Sequence, residues 1–148
     1  MKRTNNLKKI KPPSLPKNHN IGIPNANPYT DNETIRFSFK HLDLTHNKFS
    51  CEGKTFDYFT KVFERLKNIS SIKISEMFSS RSQSLRAHPI DWDDTTEKNG
   101  FVGLNEQLRQ IQAYQFQISS NEHGRLHGFI LSNIFFIVWF DPEHNLYK

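Results

Sequence analysis

Ala113-Tyr114-Gln115-Phe116-Gln117-Ile118-Ser119, Arg125-Leu126-His127-Gly128-Phe129-Ile130-Leu131 and Ile134-Phe135-Phe136-Ile137-Val138-Trp139-Phe140 follow one another closely in the sequence, and their reading decides the fold. In the first run Tyr114, Phe116 and Ile118 alternate with Gln115, Gln117 and Ser119, the period-2 pattern of a half-buried strand. Asn121-Glu122-His123-Gly124 reads as a turn into the second run, because glycine takes positive φ without steric cost. Ser132-Asn133 is a tight turn into the third, which is apolar on both faces as a central, doubly covered strand must be. Pro142, after Asp141, ends that strand because proline cannot continue a ladder. Three strands joined by short turns form an antiparallel meander.

Upstream, Ile35, Phe37 and Phe39 alternate with Thr34, Arg36 and Ser38, which predicts one more strand. Thr55 then caps a helix running to Asn68, with Phe56, Phe59, Val62, Phe63, Leu66 and Ile69 as its apolar stripe. A shorter helix is expected over residues 71–80, with Ile72, Ile74, Met77 and Phe78 as its apolar set. Residues 81–103 read as a polar linker, and residues 104–111 as another helical turn or two. The order β-α-α-β-β-β makes this an α+β chain: a small, mainly antiparallel sheet packed on helices.

Composition divides the chain in two. Residues 1–33 hold six basic residues against Asp31 and Glu33, five of the seven prolines and no Phe or Trp. Such a segment buries too little apolar surface to offset its ordering entropy, so a basic, extended, flexible arm is expected. Residues 34–148 are nearly balanced in charge, carry all 13 Phe, and read as a single domain. The longest apolar run, Ile134 to Phe140, is far short of the roughly 20 residues of a spanning helix, and no apolar stretch follows the basic start. A lone cysteine, Cys51, forms no internal disulfide. A cytoplasmic protein is the expectation.

The hairpin from Gly124 to Ile130, followed by Ile134 to Trp139 and set behind one strand and two helices, resembles the RelE/ParE-type toxin superfamily. The resemblance is closest over residues 114–147. It implies a toxin of a toxin–antitoxin or defence module, an RNA endonuclease cutting messenger RNA on the ribosome, and a cognate antitoxin as partner. The family arginine that opens the second hairpin strand falls on Arg125, and a C-terminal His or Tyr falls on His144 and Tyr147. The basic residues that such nucleases often carry on the preceding strand fall on Gln115 and Gln117.

Metal-free RNA cleavage needs a base for the 2′-OH, an acid for the leaving 5′-oxygen and cations for the phosphorane charge. Histidine titrates in the right range and arginine grips phosphate with a planar fork. Arg125, His127 and Phe129 share one strand face, the first two about 7 Å apart. Arg125, His127, His144 and Tyr147 are therefore the candidate catalytic residues, with Arg81, Arg86, His88, Gln115 and Gln117 as candidate substrate contacts. No metal and no cofactor is implied. Two other readings stand beside this one: a non-enzymatic module binding a protein through its arm or sheet edge, and a metal-dependent nuclease using His88, Asp91, Asp93 and Asp94.

Overall fold

The computed structural model describes residues 30, 32–79, 85–120 and 122–148. Most of the arm and the candidate contact Arg81 lie outside the described residues. The elements are β1 (Arg36–Ser38), α1 (Phe56–Ile69), α2 (Ile74–Met77), β2 (His88–Pro89), α3 (Glu106–Arg109), β3 (Ala113–Gln117), β4 (Arg125–Leu131) and β5 (Ile134–Asp141). They build one sheet in the order β1-β5-β4-β3-β2, antiparallel except for the parallel pair β1–β5. The α+β class and the meander are as the pattern of residues predicts.

Thr55 caps α1, its side-chain oxygen accepting the Tyr58 N–H at 3.4 Å. The stripe that α1 buries differs from the one expected. Tyr58, Val62, Leu66 and Ile69 face the sheet, while Phe56 is 88 % and Phe63 60 % exposed. Spacings of four, four and three make the straighter seam along the helix. The second helix is also shorter than residues 71–80. Lys73 bridges to Thr34 and the Ile74 N–H donates to the Glu33 carbonyl at 3.0 Å, which holds the backbone before Ile74 extended. Within the expected linker, His88–Pro89 pairs with Gln115 and Tyr114 as an outer strand, where a proline lacking its N–H is tolerated.

The helix side of the sheet buries Phe116, Leu126, Ile130, Phe135, Ile137 and Phe140 against α1 and α2. The opposite face is covered too, by loop residues. Phe49, Ile90, Phe101 and Leu146 pack over Ala113, Phe129 and Trp139. Phe49 stacks on Trp139 at 4.5 Å and Phe101 meets the same ring edge-on at 4.7 Å.

The pairing of β4 with β5 slips once. His127 lies opposite Trp139 but Gly128 opposite Ile137, so Val138 is the extra residue of a bulge. A one-residue slip exchanges the two faces of a strand. Before the bulge Phe135 and Ile137 point to the helices; after it Trp139 and Asp141 point away from them.

Candidate functional site

The bulge sets up two rows of side chains across the face remote from α1. One row runs His88, Gln115, His127, Trp139; the next runs Gln117, Arg125, Asp141. After β5 the chain turns at His144, whose φ of 57° is left-handed, into a short 3-10 turn over Asn145–Tyr147. His88, Gln115, Arg125, Asp141, His144 and Tyr147 then line one pocket of about 290 Å³.

Asp141 is the anchor of this corner. Only 1 % exposed, its carboxylate accepts the Asn145 N–H at Oδ1 (2.7 Å), and the Leu146 N–H (3.0 Å) and His127 Nε2 (3.1 Å) at Oδ2. Burial pushes its acidity toward the neutral form. The hydrogen bond from His127 and the two backbone donors outweigh that and hold the carboxyl below its ordinary range. The segment bearing His144 and Tyr147 is thereby tied to the sheet.

His127 is fully buried, between Asp141 and the rings of Phe49 and Trp139, and does not line the pocket. Burial lowers its pKa more than Asp141 raises it, so the ring is neutral, donates from Nε2, and leaves Nδ1 without a partner. This residue supports the site from behind and has no path to a substrate. Stability is expected to fall as pH drops below about 6.5, because the unfolded chain takes up a proton there that folded His127 refuses. Asp141, also depressed, adds a further loss of the same sign at lower pH. Urea midpoints measured from pH 7.5 to 5 check this. The slope approaches about 1.4 kcal/mol per pH unit for one proton, and a flat profile contradicts it.

Arg125 is half-buried and makes no ion pair among the described residues. Its Nη1 donates to Gln117 Oε1 at 3.1 Å, and Gln117 in turn donates to the Ser119 carbonyl at 2.5 Å. Burial, then the like charge of Arg86, lower the guanidinium's pKa, and arginine stays charged throughout the useful pH range. Arg86 itself is exposed, at a φ of 46°, and stands outside the pocket lining.

Gln115 is 2 % exposed. Its Nε2 lies 2.7 Å from His88 Nε2 and 3.4 Å from the Tyr147 hydroxyl, while its Oε1 has no partner. His88 Nδ1 lies 2.9 Å from the Pro89 carbonyl. These contacts agree on one tautomer, with Nδ1–H donating to Pro89 and the Nε2 lone pair turned to Gln115. Burial raises the Tyr147 hydroxyl's pKa, Arg125 opposing and Asp94 and Asp91 adding to it, so the phenol keeps its proton at neutral pH.

Of the residues singled out in the sequence, Arg125, His144, Tyr147, His88 and Gln115 meet at this pocket and Gln117 braces Arg125. In the sequence Asp141 marks only the end of a strand. An acid followed by proline and, four residues on, by Asn145 carries the pattern of a capping carboxylate. Among the described residues no three His, Cys, Asp or Glu are grouped to hold a metal ion. Asp91 instead caps the turn at Trp92–Asp94, accepting the Asp93 N–H at 3.1 Å, and Trp92 packs on Phe101 and Trp139. Burial raises the Cys51 thiol, which argues against a thiolate there.

Compared with family models, curated proteins and solved structures, the chain matches none. Among the described residues no helix is long and apolar enough to cross a membrane.

Proposed function

We propose that the chain is a metal-independent RNA endonuclease, a RelE-like toxin of a toxin–antitoxin or defence module acting in the cytoplasm on messenger RNA, free or ribosome-bound. The observation that carries the reading is Arg125. A half-buried guanidinium with a neutral amide for its partner is an open site for an anion, and its fork suits a phosphate. Two imidazoles, a protonated phenol and a buried amide with a free acceptor surround the same space. That set meets the needs of phosphodiester cleavage by the neighbouring 2′-OH, in which each acid–base group contributes about 10²–10⁴-fold.

The test is incubation of the purified chain with an oligoribonucleotide and its all-deoxy counterpart in excess chelator. The expected result is cleavage of the RNA alone, leaving 2′,3′-cyclic phosphate and 5′-hydroxyl ends. RNA left intact both free and on programmed ribosomes, or equal cutting of the DNA, overturns the reading.

A second reading, a non-enzymatic module on the same fold, is favoured by a different observation. Phe56, Phe59 and Phe63 line an exposed apolar groove on α1, none of them shared with the pocket, and such a surface suits a protein partner. The two readings are compatible where that partner is an antitoxin.

A further inference from the structure

Resting on the endonuclease reading, we infer that the two pocket histidines divide the proton transfers: His88 is the general base and His144 the general acid. The assignment gives His88 a catalytic part and leaves His127 a positioning residue.

The argument begins with the tautomer of His88. Its Nδ1–H is committed to the Pro89 carbonyl at 2.9 Å, so the nitrogen facing the pocket is the bare Nε2. In the resting protein that lone pair takes a hydrogen from Gln115 Nε2 at 2.7 Å. Beside it Gln115 Oε1, in a residue 2 % exposed, has nothing to accept from. A buried acceptor left open costs about 1–3 kcal/mol and is satisfied by a ligand that donates. A ribose 2′-OH is such a donor. The hydroxyl has one hydrogen, so a 2′-OH that first donates to Gln115 Oε1 swings that hydrogen to His88 Nε2 as it reacts, displacing the Gln115 N–H that occupies the lone pair at rest.

His144 differs on both counts. No hydrogen bond among the described residues fixes its ring, so it is free to turn a ring N–H toward a leaving oxygen, and it lines the same pocket. It sits at the far side of the face from β2, after the last strand of the meander. Arg125, on β4, lies between the two histidines in the order of strands, where a phosphate bridging them would rest.

The step balances as follows. The 2′-oxygen forms a bond to phosphorus while its proton passes to His88 Nε2. The phosphorus–O5′ bond breaks, and the 5′-oxygen takes a proton from His144. Arg125 pairs with the non-bridging oxygens throughout. The products are a 2′,3′-cyclic phosphate and a 5′-hydroxyl, and water restores both histidines to their starting protonation.

A substrate whose bridging 5′-oxygen is replaced by sulfur tests the assignment, because thiolate leaves without an acid. The variants are His88→Gln and His144→Asn, asparagine being chosen because it tolerates the left-handed backbone at 144. Both are expected to slow cleavage of the ordinary oligoribonucleotide about 10²-fold or more. On the sulfur substrate His144→Asn is expected to recover to within about tenfold of the wild type, and His88→Gln to stay slow. Recovery of His88→Gln instead, or of neither variant, overturns the assignment while leaving the nuclease reading intact. A wild type that cuts neither substrate, free or presented on programmed ribosomes, removes both.

Discussion

Replacing Arg125 by alanine is expected to slow RNA cleavage about 10²–10³-fold, the loss typical of removing one preorganised donor from a developing anion. The effect is large because the cation is half-buried and its held partner is the neutral Gln117 amide, so its field is spent on the pocket. The loss belongs mainly in the chemical step, since the phosphorane carries more charge than the diester it forms from. Arg125→Lys restores the charge without the planar fork and should recover only part of the rate. Single-turnover rates, read beside thermal midpoints, separate this from a folding defect. In cells, induced wild type is expected to arrest growth and create new RNA ends, and Arg125→Ala to do neither. Equal rates for the two proteins sink the role given to Arg125.

Gly128→Ala is expected to cost more than about 3 kcal/mol and to leave little folded protein at 37 °C. A Cβ at that position would lie 2.0 Å from the Phe136 carbonyl oxygen and 2.6 Å from a ring carbon of Phe135. Both atoms belong to β5, a strand paired on both sides, and neither has room to yield in a packed sheet. The glycine also marks the slip in register, so relief of the clash by sliding β5 would return Asp141 to the helix side. Gly103→Ala is the control, because nothing lies within 4 Å of its added methyl, and its effect should stay within about 0.5 kcal/mol. Urea unfolding of the two variants reads the difference, and similar midpoints contradict the packing argument.

The meander and the capped helix were legible because their alternation and spacing are local. The outermost strand was not. His88–Pro89 is two residues long, too short to alternate, and exists as a strand only because Gln115 and Tyr114 lie opposite. The buried side of α1 was blurred by its phenylalanines. Phe56 and Phe63 are the more apolar, yet Tyr58 and Val62 follow the seam that meets the sheet. The depth of His127 was hidden for another reason. The layer over it is made by Phe49, Phe101 and Leu146, loop residues with no period to read. The face of Asp141 depended on the bulge, and nothing in the run of seven apolar residues before it announces an extra position.

The single parallel pair, β1 against β5, joins the two ends of the described chain. The Thr30 N–H, just before β1, reaches the side chain of Asn133, 103 positions away. Contacts of such separation form late, because the intervening loop must first be closed at an entropic cost. Until β1 pairs with residues 134–136 and the loop after it brings the Asp43 N–H to the Val138 carbonyl, β5 presents a bare edge reading Ile-Phe-Phe-Ile-Val-Trp-Phe, without a charge, a glycine or a proline. That is the composition from which intermolecular cross-β stacks grow. The three residues of β1, led by Arg36, therefore act as a guard against self-association, and the folding chain is most vulnerable to aggregation in the interval before they arrive.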